Sequence, residues 1–126
     1  MDARSKALRS LTVDDIFHAD SPNGASLICL VTSITNATIH ARTVTTQLEL
    51  AFNRMTGAVE MDADEIPGAI DSICRLPVDI HETMLGIDRK FRLETDLDKL
   101  KLTDAEIRAF LFVARHYPAN PLPNAE

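Results

Sequence analysis

Short segments in the first half of the chain are rich in apolar and β-branched residues, and their spacing is typical of strands. Residues 26–34, with the sequence SLICLVTSI, are too few for a buried helix, so we predict a central strand covered on both faces. Residues 37–46 carry β-branched side chains at six of ten positions, which predicts a second strand. Leu48, Leu50 and Phe52 then alternate with polar or small residues, as in a strand with one solvated face.

Turn signals separate these segments and complete the pattern of a meander. Residues 21–24 combine a proline with an Asn-Gly pair, and Gly57 lies where a three-residue hairpin turn needs a left-handed residue. Residues 58–61 would return as a fourth strand. Residues 11–17 fit a short strand or an irregular entry, and as a fifth strand they would complete a small bent sheet. Such a sheet resembles SH3-like barrels, in strand order and length only.

From about residue 62 the apolar spacing becomes that of helices. The apolar face of a short first helix, ending near Arg75, would consist of Ile66, Ala69, Ile70 and Ile73. Asp79 and Glu82 have the spacing of a capping box, which predicts a second helix from there to about Arg92. The buried stripe of this second helix would consist of Ile80, Met84, Ile87 and Phe91.

A third helix has the clearest local signal in the chain. Thr103 and Glu106 form a capping box, with Leu102 placed to contact Ile107 across the first turn, so we predict a helix over 103–117. Pro118 would end it, because a proline disfavours helical backbone at the preceding residue. The predicted core face consists of Ile107, Phe110, Leu111 and Ala114.

These elements predict one α+β domain of 126 residues, an N-terminal antiparallel β-meander followed by about three C-terminal helices. The β part would cover about 11–61 and the helical part about 62–117. An N-terminal arm at 1–10 and a C-terminal tail at 118–126 would be flexible. Two domains of about sixty residues would each be marginally stable without a metal or a disulfide, which favours one shared core.

Charge and cysteine usage narrow the function classes. The net charge is −6, and residues 58–126 hold all of the acidic excess, which argues against a nucleic-acid partner that needs a basic field. No apolar run approaches a membrane span, and no apolar segment follows the basic N-terminus as in a secretory signal, so we expect a cytoplasmic protein. Cys29 and Cys74 lie among aliphatic residues outside any metal or redox motif. We therefore expect two buried, unpaired thiols and no cofactor or metal.

Few residues stand out as candidates for function. Phe112 lies on the helical face opposite the predicted core, beside Arg108 and Arg115, and either packs under a neighbouring segment or contacts a partner. His40 and Arg42 share one face of the second strand and are weak candidates for a pocket. Because the glycines, nucleophiles and histidines form no catalytic motif, the leading hypothesis is a non-catalytic protein-binding or assembly module, possibly homodimeric, that uses a sheet edge or the last helix. An RNA-binding small β-barrel and a small enzyme with a spatially assembled site are the alternatives.

Overall fold

The computed structural model describes residues 3–20, 26–60 and 68–115. In chain order the elements are α1 Ala3–Arg9, β1 Ile16–Asp20, β2 Ser26–Ile34, β3 Thr38–Thr43, β4 Glu49–Asn53, β5 Ala69–Cys74, α2 Val78–Leu93, a 3₁₀ turn Leu97–Lys99 and α3 Asp104–Arg115. The α+β class, with an N-terminal antiparallel sheet followed by helices, is confirmed. In the part of the chain described, no helix is long and apolar enough to cross a membrane. The predicted tail at 118–126 lies outside the described residues.

The five strands form one antiparallel sheet in the order β4-β3-β2-β1-β5, curled into a half-barrel. The short segment 57–60 bonds to both edge strands. Val59 N–H donates to Gly68 O beside β5 at 2.7 Å, and Glu60 N–H donates to Ala51 O of β4 at 2.7 Å. Gly57 begins this segment with a φ of +79°, the left-handed conformation that its turn position predicts. The two edges of the sheet are therefore joined through this segment.

A first hydrophobic cluster, here called the barrel core, fills the inside of the curled sheet. Phe17 and Phe52 meet edge to face there, with ring centroids 5.2 Å apart and an interplanar angle of 87°. The buried members of the barrel core are Leu8, Leu11, Phe17, Ala19, Cys29, Val31, Ile39, Ala41, Phe52, Ile70 and Ile73.

Helix α1 closes one end of the barrel core, so the prediction of an arm at 1–10 is wrong for residues 3–9, which form a helix. Leu8 is fully buried, and Arg4 donates from Nε to Thr56 O at 2.7 Å and from Nη2 to Ile70 O at 2.8 Å. Ser5 Oγ donates to Met55 O at 2.8 Å. The seven residues of α1 include one large aliphatic side chain, so their sequence shows no helical period. Bonds to residues 50 to 66 positions away hold the helix in place.

The predicted helix ending near Arg75 is also wrong, because Ala69–Cys74 is strand β5; the earlier part of that prediction, at 62–67, lies outside the described residues. Ile70 pairs with Ala19 and Ile73 pairs with Phe17, with a register shift between. The β-bulge adds one residue, so two isoleucines three positions apart reach the same face of a strand. The bulge therefore produces the three-residue spacing of apolar side chains that is typical of a helix. The sheet does not end at residue 61 but includes β5, which ends at Cys74.

A second cluster, here called the helix layer, lies between the outer face of the sheet and the helices. Its buried members are Ile16, Leu30, Val44, Cys74, Met84, Ile87 and Val113. The predicted stripe of α2 is confirmed, since Met84 and Ile87 are buried and Ile80 and Phe91 pack against the cluster. The capping box assigned to Asp79 is wrong: α2 begins at Val78 after Pro77 with no side-chain cap, and Asp79 lies inside the first turn.

The predicted start of α3 is confirmed. Its predicted core face is right at Phe110, which packs against the helix layer, and wrong at Ile107, Leu111 and Ala114, which are exposed. Thr103 N–H donates to Glu106 Oε1 at 2.8 Å, and Glu106 N–H donates to Thr103 Oγ1 at 3.1 Å, a reciprocal capping box. The buried residues of α3 are Ala109 and Val113, whereas Ile107 and Leu111 are each 42% exposed. Ala109, Phe110 and Val113 therefore face the rest of the protein, and the large aliphatic residues Ile107 and Leu111 turn outward.

Candidate interaction surface

Helix α3 is held in place from its inner side. Lys90 of α2 donates from Nζ to Glu106 Oε1 at 2.6 Å and to Lys101 O at 3.1 Å, which ties α2 to the start of α3. The bond from Lys90, with the cap bond from Thr103, lowers the pKa of Glu106, so this carboxylate stays charged. With Ala109 and Val113 buried on the same side, the outer surface of α3 has a defined orientation.

The outer surface of α3, here called the α3 face, consists of Ile107, Arg108, Leu111, Phe112 and Arg115. Its three large apolar side chains are 41–42% exposed, an unusual concentration on a helix of twelve residues. Arg108, Leu111, Phe112 and Arg115 together line a groove of about 370 Å³. The three predicted contact residues therefore lie together on one surface.

Sequence reasoning missed Leu111 as part of this surface, because it placed Leu111 in the core. The available signal was its position three residues after Arg108 and four before Arg115, which puts it on the arginine side of the helix. Within the described part of the chain, neither arginine forms an ion pair or a hydrogen bond. Two guanidinium groups thus flank an apolar strip with their donors directed to solvent.

Arg42, the second predicted candidate, binds a buried carboxylate. It donates from Nε to Asp88 Oδ1 at 2.9 Å and from Nη2 to Asp88 Oδ2 at 2.6 Å, and Gln47 Nε2 adds a bond to Oδ1 at 2.9 Å. Burial by itself would raise the pKa of Asp88, which is 3% exposed, but the bonds from Arg42 and Gln47 outweigh it and lower that pKa below its usual value. The bond to Asp88 also raises the pKa of Arg42. This pair joins β3 to α2 as a structural link.

Among the grooves formed by the described residues, His40 and Arg42 line different ones. Arg42 lines an open groove of about 660 Å³ with Phe91, Arg92 and residues of the β3–β4 turn. His40 lines a smaller one of about 250 Å³ beside Ser33 and Leu50. Glu49 lines both grooves, but His40 and Arg42 each line only one of the two.

A buried polar cluster that the sequence did not indicate lies in the helix layer. His18 Nδ1 is 3.2 Å from Cys74 Sγ and 3.3 Å from Ser72 Oγ. The cluster depends on the pairing of β1 with β5, which are more than fifty residues apart in the sequence. The sequence signal for it was weak: Ser72 and Cys74 lie two residues apart and so fall on the same face of a strand. Burial raises the pKa of Cys74 to about 12, so the thiol stays protonated and lacks the thiolate character of a catalytic cysteine.

Both cysteines are free and buried, as predicted, and burial raises the pKa of Cys29 to about 12 as well. Among the described residues, no three histidine, cysteine, aspartate or glutamate side chains are grouped closely enough to hold a metal ion. No family model, curated protein or solved structure matches this chain.

Proposed function

We propose that the protein is a non-catalytic protein-binding or assembly module and that it binds through the α3 face. The observation that carries the proposal is the exposure of Ile107, Leu111 and Phe112 together on one helix, each between 41% and 42%. Aromatic and arginine side chains are enriched where proteins bind one another. Arg108 and Arg115 border the apolar strip and would bind carboxylates of the partner at its rim.

Helix α3 is anchored at both ends, so the α3 face is already formed before a partner binds. The capping box and the Lys90–Glu106 bond fix the start of the helix, and Val113 is fully buried near its end. A partner that binds a preformed helix face avoids the entropic cost of ordering it. The expected partner is a helix or groove with apolar side chains and acidic residues at its border.

The sheet edges are less suited to binding another strand. Segment 57–60 already occupies backbone groups of β4 and of the start of β5, which leaves a shorter row of groups for an added strand. The helix face is therefore better suited to binding a partner than a sheet edge is.

The engagement of basic side chains within the protein also favours a protein partner over RNA. Lys90 binds Glu106, and Arg42 binds Asp88, so two of the cations nearest the grooves are neutralised internally. The net charge of −6 disfavours a phosphate backbone as the ligand.

The test is quantitative capture of proteins from an extract of the source cells by the wild type, Phe112→Ala and a matched control, Leu48→Ala. Leu48 is 55% exposed and lies in the β3–β4 connection, one residue before β4. We expect specific proteins, or further copies of the chain, to be retained by the wild type and the control and lost by Phe112→Ala. The same proteins on all three variants would overturn the proposal.

Thermal unfolding of the same samples separates binding from folding. Because Phe112 is 41% exposed, its truncation should remove less than about 1.5 kcal/mol of stability. A loss of about 3 kcal/mol or more would identify Phe112 as a core residue and contradict its role as a contact.

A further inference from the structure

We infer that the partner of the α3 face is a second copy of this chain, with the two α3 helices packed antiparallel about a two-fold axis. The inference rests on the proposed function and adds the identity and orientation of the partner. It follows from the order of charges along the outermost line of α3.

That outermost line consists of Asp104, Arg108, Leu111 and Arg115, at spacings of four, three and four residues. All four are exposed, and they lie on the side opposite the buried Ala109 and Val113. An acidic residue stands at the first position of the helix and a basic residue at the last. The line is therefore electrically polar from end to end.

This order of charges distinguishes the possible orientations of two copies. A parallel pair would place Asp104 against Asp104 and Arg115 against Arg115, which is repulsive at both ends. An antiparallel pair centred between residues 109 and 110 places each Asp104 opposite Arg115 of the second copy. Because a two-fold interface is isologous, one residue pair supplies two ion pairs.

The same register also matches the apolar side chains. Leu111 would lie against the aliphatic stem of Arg108 of the second copy on the central line. On one flank Ile107 would face Ala114 of the other helix, and on the opposite flank Phe112 would face Ala105. Both alanines are exposed. On each flank a large side chain thus meets a small one, which allows the two helices to approach closely.

The size of the contact determines the expected affinity. Two twelve-residue helices bury less than the roughly 1,600 Å² of a standard stable interface. We therefore expect reversible dimerisation, with a dissociation constant on the order of micromolar to hundreds of micromolar, rather than a permanent dimer.

Charge reversal tests the pairing directly. We would measure sedimentation equilibrium of the full chain up to about 1 mM for the wild type, Asp104→Arg, Arg115→Asp, the double variant, and Glu82→Arg as a control on the exposed side of α2. Each single variant should dimerise at least about tenfold more weakly, because two attractive pairs become repulsive. The double variant should return to within about threefold of the wild type, and Glu82→Arg should match the wild type.

An equimolar mixture of the two single variants provides a second measurement that does not depend on the folding of the double variant. One chain then carries arginine at both ends of α3 and the other carries aspartate at both ends, so the mixed dimer should form more tightly than either single variant alone. Far-UV circular dichroism should give the same helix content for all samples.

The outcomes separate this inference from the proposed function. A wild type that stays monomeric at about 1 mM, or single variants that dimerise like the wild type, would overturn the antiparallel pairing. If Phe112→Ala still lost other captured proteins in that case, the proposed function would stand with a different partner. Monomeric protein together with capture that does not depend on Phe112 would overturn both.

Discussion

The barrel core and the helix layer occupy opposite faces of the same five-stranded sheet, and they are held together differently. The barrel core is a closely packed apolar cluster around Phe17 and Phe52, closed by α1. The helix layer combines a smaller set of fully buried apolar residues with directional links, Arg42–Asp88 from β3 to α2 and Lys90–Glu106 from α2 to α3. Packing therefore stabilises the first, and specific polar bonds orient the second.

The difference matters because hydrophobic packing tolerates small displacements and a two-point ion pair does not. Polar links add little net stability when they are buried, but they select one arrangement of the helices. We therefore expect the barrel core to supply most of the stability and the helix layer to position α3. The following predictions test this division.

The largest effect should come from truncation inside the barrel core. Phe52→Ala should lower the free energy of unfolding by about 3–5 kcal/mol, because it removes a fully buried ring and leaves a cavity. Phe91→Ala, at a partly buried position of the helix layer, should cost clearly less. Urea denaturation of both variants measures the difference, and equal losses would contradict the division.

Removal of Arg42 should have the next largest effect. Arg42→Met leaves Asp88 buried without its main partner and should lower the free energy of unfolding by about 3 kcal/mol. This value is in the lower part of the range for a broken buried ion pair, because the Arg42 side chain is 18% exposed. The double variant Arg42→Met with Asp88→Leu should recover most of this loss in the same denaturation experiment. If it recovered none, the pair would be contributing stability and not only orientation.

Acidification should weaken the helix layer before the barrel core. The pKa of Asp88 is lowered in the folded protein, so its contribution is fully present above the unfolded value of roughly 3.9 and is lost as the pH falls through the lower folded value. Unfolding measured between about pH 6 and pH 2 should reveal this loss in the wild type. Asp88→Asn should remove that part of the pH dependence, and an unchanged profile would contradict the role of the carboxylate.

Loss of the α3 cap should cost about 1 kcal/mol, the usual value for an N-cap side chain. Thr103→Ala removes the oxygen that accepts from the Glu106 amide. Thr83→Ala is the control, because its hydroxyl only donates to a carbonyl within α2. Equal stability of Thr103→Ala and the wild type would mean that the capping box contributes nothing measurable.

The smallest effect concerns the rate of thiol labelling. Both cysteines should react slowly in the native protein, since burial raises the pKa of each to about 12. Cys74 belongs to the helix layer and Cys29 to the barrel core, so Cys74 should be labelled first if the helices open locally. Mass spectrometry of peptides after timed labelling measures the order. Faster labelling of Cys29 than of Cys74 would mean that the barrel core opens more readily than the helix layer.

Signals confined to a few neighbouring residues were sufficient to predict several elements correctly. Strand β2 has the predicted bounds, 26–34, because a run of β-branched and aliphatic residues favours an extended backbone wherever it is buried. The capping box at Thr103 was predictable because both partners lie within one helical turn. The shared placement of Arg108, Phe112 and Arg115 on one side of α3 was predictable in the same way, from helical angles alone.

Errors arose where distant residues decide the structure. A bulge in β5, where it pairs with β1, gave its isoleucines the spacing of a helix. Bonds from Arg4 to Thr56 O and Ile70 O hold α1 in place, although its sequence has no helical pattern. The contact of His18 with Ser72 and Cys74 exists only because β1 pairs with β5.

By itself, the sequence determined the class of fold, the main strands of the meander, the existence of α2 and α3, and the line of charges along α3. These depend on backbone preferences and on periodicity within a single element. Only the tertiary structure decided which face of α3 is buried, since Ala109 and Val113 face inward and Ile107 and Leu111 face outward. The apolar residues of α3 nearly surround the helix, so its own pattern left two orientations open. The bond from Lys90 to Glu106 and the packing of Phe110 and Val113 against the helix layer select one of them.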